Sequence, residues 1–411
     1  MSDEKRYYTR LHPISSVILI LTTLLIGDAS GQQPNARTTP PPAPLLPAEQ
    51  AWLRELPALP AAGGVMDADR VYIPLQEKGT IALARETGEI AWTNSSTANR
   101  PLVLAPAIVV AVTTDQVTAF DRVTGSTAWS VSLPSNTIGP AISAAGLLLV
   151  PLENQSVLAL RPTDGTTAWS CRIGEIMPPI SLAADADAAY VTTSDSHVAA
   201  IALAAGTLKW RTTLTGALSV AAVGKDRVFI GSTSNAFFAL QAETGREEWH
   251  WGSERVGGDV IGAAVDGDVT YFVGLDNLLH ALNRGNGNQR WKQPTPMRPT
   301  APPVAFGGVV AVFGISPAVA TFNARTGAPI GTYSIPPAAG VAVTPVPKGA
   351  PIIDPDMRPF RVAMVALTAD GRAIGVRPTE LMFREPAEVP LTELPGRTLP
   401  RERQPIVPTT K

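Results

Sequence analysis

Apolar residues in this chain fall in short runs of strand length, separated by polar turns. Residues 103–112 read Val-Leu-Ala-Pro-Ala-Ile-Val-Val-Ala-Val, and residues 146–150 read Gly-Leu-Leu-Leu-Val. Runs without polar alternation suit strands buried on both faces. Asp67-Ala68-Asp69, Asp185-Ala186-Asp187 and Asp266-Gly267-Asp268 read as hairpin turns between such runs. Past the N-terminal region no long helical period appears. The pattern predicts an all-β protein of many short strands.

One motif recurs inside that texture. Ala82-Leu83 leads to Thr87-Gly88 and Trp92, and Ala119-Phe120-Asp121 leads to Thr124-Gly125 and Trp129. The same order returns with Asp164-Gly165 and Trp169, Ala205-Gly206 and Trp210, Thr244-Gly245 and Trp249, and Asn286-Gly287 and Trp291. A seventh copy has Thr326-Gly327, with Gly331 where Trp is due. Successive glycines are 37, 40, 41, 39, 42 and 40 residues apart. A strand-rich period near 40 matches one propeller blade per repeat. Gly at each turn accepts the positive φ of a tight hairpin. The Trp four residues on lies on the returning strand, where a flat ring can wedge between blades.

The two ends of the repeat region complement each other. Residues 360–368 and 369–376 read as two inner strands joined by a turn, with no Thr-Gly and Trp after them. Glu49-Gln50-Ala51-Trp52 resembles the end of a motif without its beginning, and Trp52 precedes Trp92 by 40 residues, in phase. The strand around Trp52 is therefore expected to complete the last blade, giving an eight-bladed β-propeller closed by its N-terminal strand. The alternative is a seven-bladed ring with residues 340–377 outside it.

These repeats resemble the PQQ-like β-propeller family, whose consensus runs Tyr-Ala-Leu-Asp-x-x-Thr-Gly-x-x-x-Trp. The resemblance covers about residues 50–377. It departs from consensus where Asp after the apolar pair survives only as Asp121, and where Gly331 replaces Trp. The resemblance implies one of two branches. Quinoprotein dehydrogenases hold pyrroloquinoline quinone and calcium, and carry a vicinal disulfide beside the cofactor. A non-enzymatic branch is similar to the outer-membrane protein assembly factor BamB.

Composition bears on that choice. Cys171 is the single cysteine, so neither that disulfide nor a cysteine zinc cluster can form. No set of Glu, Asn and Asp matches the calcium and base residues that the dehydrogenase resemblance implies. His197, His250 and His280 fall on different repeats, without metal-type spacing. The net charge is −2, with no basic excess to favour nucleic acid.

Outside the repeats, Lys5, Arg6 and Arg10 precede an apolar run at 14–26, and Ala29-Ser30-Gly31 follows. Residues 1–31 read as a signal peptide or an uncleaved N-terminal anchor. No cysteine follows the run to take a lipid. Residues 32–47 read as a Pro-rich linker, 48–377 as the propeller, and 378–411, with seven prolines, as a disordered tail.

The resemblance to the non-enzymatic branch, taken with the N-terminal export signal, therefore implies a monomeric, exported, non-enzymatic scaffold in the periplasm or cell envelope, with no cofactor. Its expected partners are envelope proteins, a β-barrel assembly component among them. The alternatives are a quinone-dependent oxidoreductase and a propeller that binds a small molecule or glycan. Trp52, Trp92, Trp129, Trp169, Trp210, Trp249 and Trp291 are assigned to blade packing. Gly88, Gly125, Gly165, Gly206, Gly245, Gly287 and Gly327 are assigned to turns. Trp251, out of phase, is placed with Arg255 in a loop between blades as a candidate partner contact, since Trp and Arg are favoured at hot spots.

Overall fold

In the computed structural model, the described residues are 48–378 except 175–178, 194, 217, 220, 253–258, 307, 315–317, 335–351, 354–360 and 369. The expected signal at 1–31, the linker at 32–47, Arg255 and the tail from 379 on lie outside them.

Every strand among the described residues belongs to one of eight four-stranded antiparallel sheets. Blade 1 consists of Val65–Met66, Arg70–Leu75, Gly79–Ala84 and Ile90–Asn94, in spatial order. Blades 2 to 7 repeat this meander over 103–132, 142–172, 179–213, 222–252, 260–294 and 304–334. Blade 8 is composite. Its first three strands are Ile352–Ile353, Met364–Leu367 and Arg372–Pro378, and its fourth is Ala48–Glu55 from the N-terminal side. The closing pair is antiparallel, with Ala48 opposite Pro378 and Trp52 opposite Gly375.

The fold is thus an eight-bladed propeller closed by its N-terminal strand, and the seven-bladed alternative falls. Two details are corrected. The segments expected as two inner strands are the second and third strands of blade 8. The innermost is Ile352–Ile353, a two-residue pairing too short to show any period.

Side-chain alternation explains the stacking. The second and third strands of each blade are buried on both faces, as in Ile108–Val112 and Ser156–Leu160. Each face packs on a different neighbour. Val110, Val112, Val117 and Ala119 of blade 2 meet Leu148, Val150, Leu158 and Leu160 of blade 3. Leu149, Val157 and Ala159 of blade 3 meet Leu182, Ala189 and Val191 of blade 4. A blade alone would leave both faces wet, so the apolar burial exists only once the ring is assembled. Fourth strands alternate differently, with solvent-facing polar positions in Glu247–Gly252 and Gln289–Pro294.

Candidate functional site

The assigned tryptophans all reach across to the following blade. In blades 1 to 6 the Trp lies opposite a fully buried alanine of the third strand, and the register shifts directly after that alanine. A small residue there leaves room for the indole. Each ring then lies over the next blade's turn glycine. A Cβ on Gly165 would meet Trp129 at 2.6 Å, and one on Gly327 would meet Trp291 at 2.6 Å. Each indole N–H is also satisfied on the next blade. Trp92 Nε1 donates to the Arg122 carbonyl at 3.0 Å, and Trp169 Nε1 donates to the Leu203 carbonyl at 2.8 Å. Trp129, Trp210, Trp249 and Trp291 do likewise toward Pro162, Ala242, Arg284 and Ala324.

Trp52 extends this series over the seam from blade 8 to blade 1. Its Nε1 donates to the Arg85 carbonyl at 2.8 Å, and Arg54 Nε donates to the Gly88 carbonyl at 2.8 Å. Arg85 reaches back: its buried guanidinium donates from Nε to the Val362 carbonyl at 2.7 Å and from Nη1 to the Asp67 carbonyl at 3.1 Å. Glu86 accepts from Arg361 Nε at 2.8 Å and from the Val362 N–H at 3.2 Å. The absence of Trp at 331 now has a reason. Blade 8 has no hairpin between its third and fourth strands, because the fourth comes from the other end of the chain. A Trp at 331 would have no turn glycine to cover.

The first carboxylates of two Asp-x-Asp pairs, Asp67 and Asp185, are bound into their own turns. Asp67 Oδ1 accepts from the Asp69 and Arg70 N–H groups, each at 2.8 Å, and its Oδ2 accepts from Tyr72 OH at 2.8 Å. Asp185 repeats the arrangement with Asp187, Ala188 and Tyr190. Asp268 pairs with Arg290 at 2.5 Å, which holds its carboxyl below the usual range. Burial, reinforced by the aspartate beside each, pushes the Tyr72 and Tyr190 phenols well above their ordinary range. Burial likewise pushes Tyr271 up to about 12. Among the described residues no three His, Cys, Asp or Glu side chains converge, and Cys171 is a buried free thiol with no second cysteine to join.

The described histidines are likewise kept apart. His197 lies beside Asp195 at 3.2 Å in blade 4, and His250 Nδ1 meets Glu247 Oε1 at 2.7 Å in blade 5. His280, in blade 6, is buried and stacked on Phe272, with centroids 4.7 Å apart and planes within 5°. A cleft of about 690 Å³ opens on blade 5, bordered by Thr215, Ser234, Phe238, Glu247 and His250.

Trp251 is not in a loop. It belongs to the fourth strand of blade 5, opposite Phe237, two positions after Trp249. Its half-buried ring contacts Phe272 at 5.1 Å and His280 at 4.7 Å on blade 6. The two-residue period of the strand turns it to the same side as Trp249, so its place is between blades.

The seam grip of Arg85 and Glu86 was not anticipated from sequence. Nor were the Tyr–Trp pairs of blades 1, 4 and 6, at 5.7, 6.0 and 5.8 Å. Their signal was present: Tyr72, Tyr190 and Tyr271 each stand ten residues before the alanine that faces the Trp.

A family model described as outer membrane protein assembly factor BamB matches residues 77–219 and 194–369. The outer membrane protein assembly factor BamB of Moranella endobia (strain PCIT) is 24% identical over 254 residues, 54% of this chain and 64% of that protein. The match therefore spans less than two thirds of that relative's length. BamB from Moraxella catarrhalis, in its crystal structure, shows a TM-score of 0.62 at 17% identity, covering 80% of this chain and 99% of that one. The computationally designed Ika8 protein shows a TM-score of 0.64 at 13% identity, covering 79% of this chain and 98% of its own. At such identities the two structures speak to the fold alone. The family match runs through most of the ring, from the first blade to the composite eighth, and by it the chain belongs to the PQQ-like propeller family of outer membrane protein assembly factor BamB.

Proposed function

We propose that this chain is a non-enzymatic scaffold of the cell envelope, taking part in outer-membrane protein assembly and binding protein partners through its propeller loops. The observation that carries this reading is the family match through the ring. The use of the polar groups supports it: Asp67 and Asp185 are bound into turns, Asp268 pairs with Arg290, and His280 is held in a stack. The partner favoured is a component of the β-barrel assembly machinery. The chain acts as a monomer, exported to the periplasm or held at the envelope by its N-terminal segment, without cofactor.

The test is a crosslinked pull-down of the tagged full chain from envelope extracts. Recovery of a β-barrel assembly component is expected. Stoichiometric binding of pyrroloquinoline quinone with calcium, read by cofactor absorbance on the same purified chain, would overturn the reading.

A further inference from the structure

Blade 8 has two neighbours, and the two interfaces are built differently. Toward blade 1, polar contacts cross in both directions: Trp52 to the Arg85 carbonyl, Arg54 to the Gly88 carbonyl, Arg85 to the Val362 carbonyl, and Glu86 to Arg361 and the Val362 N–H. Toward blade 7, the wedge position is Gly331, which has no ring to offer, and blade 8 has no turn glycine to receive one. Among the described residues no hydrogen bond or ion pair joins blade 7 to blade 8. The contact between described residues there is apolar, with Ala311 and Phe313 against Met364, Ile374 and Val376.

The difference affects how each interface separates. Parting blades 8 and 1 strands a buried guanidinium and several carbonyl and N–H groups without partners, each a desolvation cost. Among the described residues, parting blades 7 and 8 exposes apolar surface and strands no such polar group. The eighth blade is also the least continuous. Its first strand is the two-residue Ile352–Ile353, and its fourth strand is held by pairing rather than by a hairpin.

We propose that the ring opens between blades 7 and 8, with blade 8 moving together with blade 1. Strand 48–55, continuous along the chain with blade 1 and joined to blade 8 by pairing, is then not the point of failure. It is the clasp that keeps the eighth blade attached to the first. The opening leaves hydrogen bonds within each blade intact, and is a local excursion of the folded ring rather than unfolding.

Thiol labelling of the full chain tests this, because the two faces of blade 8 can be probed separately. Ala366 and Ala363 belong to the core shared with blade 7, Ala373 belongs to the core shared with blade 1, and all three are buried. Single A366C, A363C and A373C variants are treated with iodoacetamide under native conditions and read by peptide mass spectrometry. Native Cys171, buried between blades 3 and 4, is the reference in every sample. Thermal melts establish that each variant is folded, and A363C serves if A366C is not. Cysteine at 366 or 363 is expected to label at least about tenfold faster than cysteine at 373. Equal rates at the two faces, or faster labelling at 373, overturn the proposal.

Discussion

Trp52 covers Gly88 across the ring seam, so closely that a Cβ on Gly88 would lie 2.5 Å from Trp52 Cε3. The same indole donates to the Arg85 carbonyl at 2.8 Å. One side chain from the N-terminal strand thus fills the wedge and satisfies a buried acceptor. Trp52→Ala should leave a cavity and an unmatched carbonyl together, costing about 3–5 kcal/mol. Urea unfolding of the variant beside the parent measures this. A loss under about 1 kcal/mol would mean the strand is held by its backbone pairing alone.

The turn glycines can be separated into conformation and contact. Gly146 and Gly165 have nearly the same φ, +74° and +73°. A Cβ on Gly146 would meet nothing within 4 Å, whereas one on Gly165 would meet Trp129 at 2.6 Å. Gly146→Ala should cost only the left-handed penalty, about 1–2 kcal/mol. Gly165→Ala adds overpacking of roughly 1–3 kcal/mol. Denaturant midpoints of both variants give the difference, and equal losses would count against the indole contact.

Arg85 and Glu86 are adjacent, yet their roles at the seam differ in burial. Arg85 is 2% exposed and its guanidinium serves the Val362 and Asp67 carbonyls. Glu86 is 40% exposed at its side chain. Arg85→Met removes charge-assisted hydrogen bonds from a dry site and should cost about 2–3 kcal/mol. Glu86→Gln, in contact with solvent, should cost no more than about 1 kcal/mol. Equilibrium unfolding of the two variants ranks them, and the reverse order would contradict this account of the seam.

The propeller was legible because its signals are local. A Gly that needs positive φ and a Trp four residues later lie within one hairpin, and their spacing survives in any single sequence. Trp52 was legible for the same reason, since its phase alone placed it on a missing strand. The grip on the seam was not, because Arg85 acts on Val362, which lies far along the chain and shares no local pattern with it. Trp251 was misplaced because its position in the hairpin was judged by the phase of the recurring Trp. The strand runs on past Trp249, and the next residue on the same face is Trp251. Gly331 looked like decay of the motif. It marks the one interface whose partner hairpin the topology removes.

His280 gives the molecule a predictable response to acid. Burial against Phe272 and Trp251 holds its imidazole pKa below the ordinary value of 6.5, with Lys292 acting in the same direction and Gln289 and Asp276 opposing. A folded-state pKa below the unfolded one means that the unfolded chain takes up the proton first. The contribution of His280 to stability is therefore intact above about pH 6.5 and is lost as pH falls, with a slope of at most about 1.4 kcal/mol per pH unit. His280→Phe keeps an aromatic ring against Phe272 and removes the titration. Unfolding free energies of the parent and the variant at pH 7.5 and 5.5 should diverge, the parent losing more. Identical pH dependence in the two proteins would show that the buried imidazole does not contribute to it.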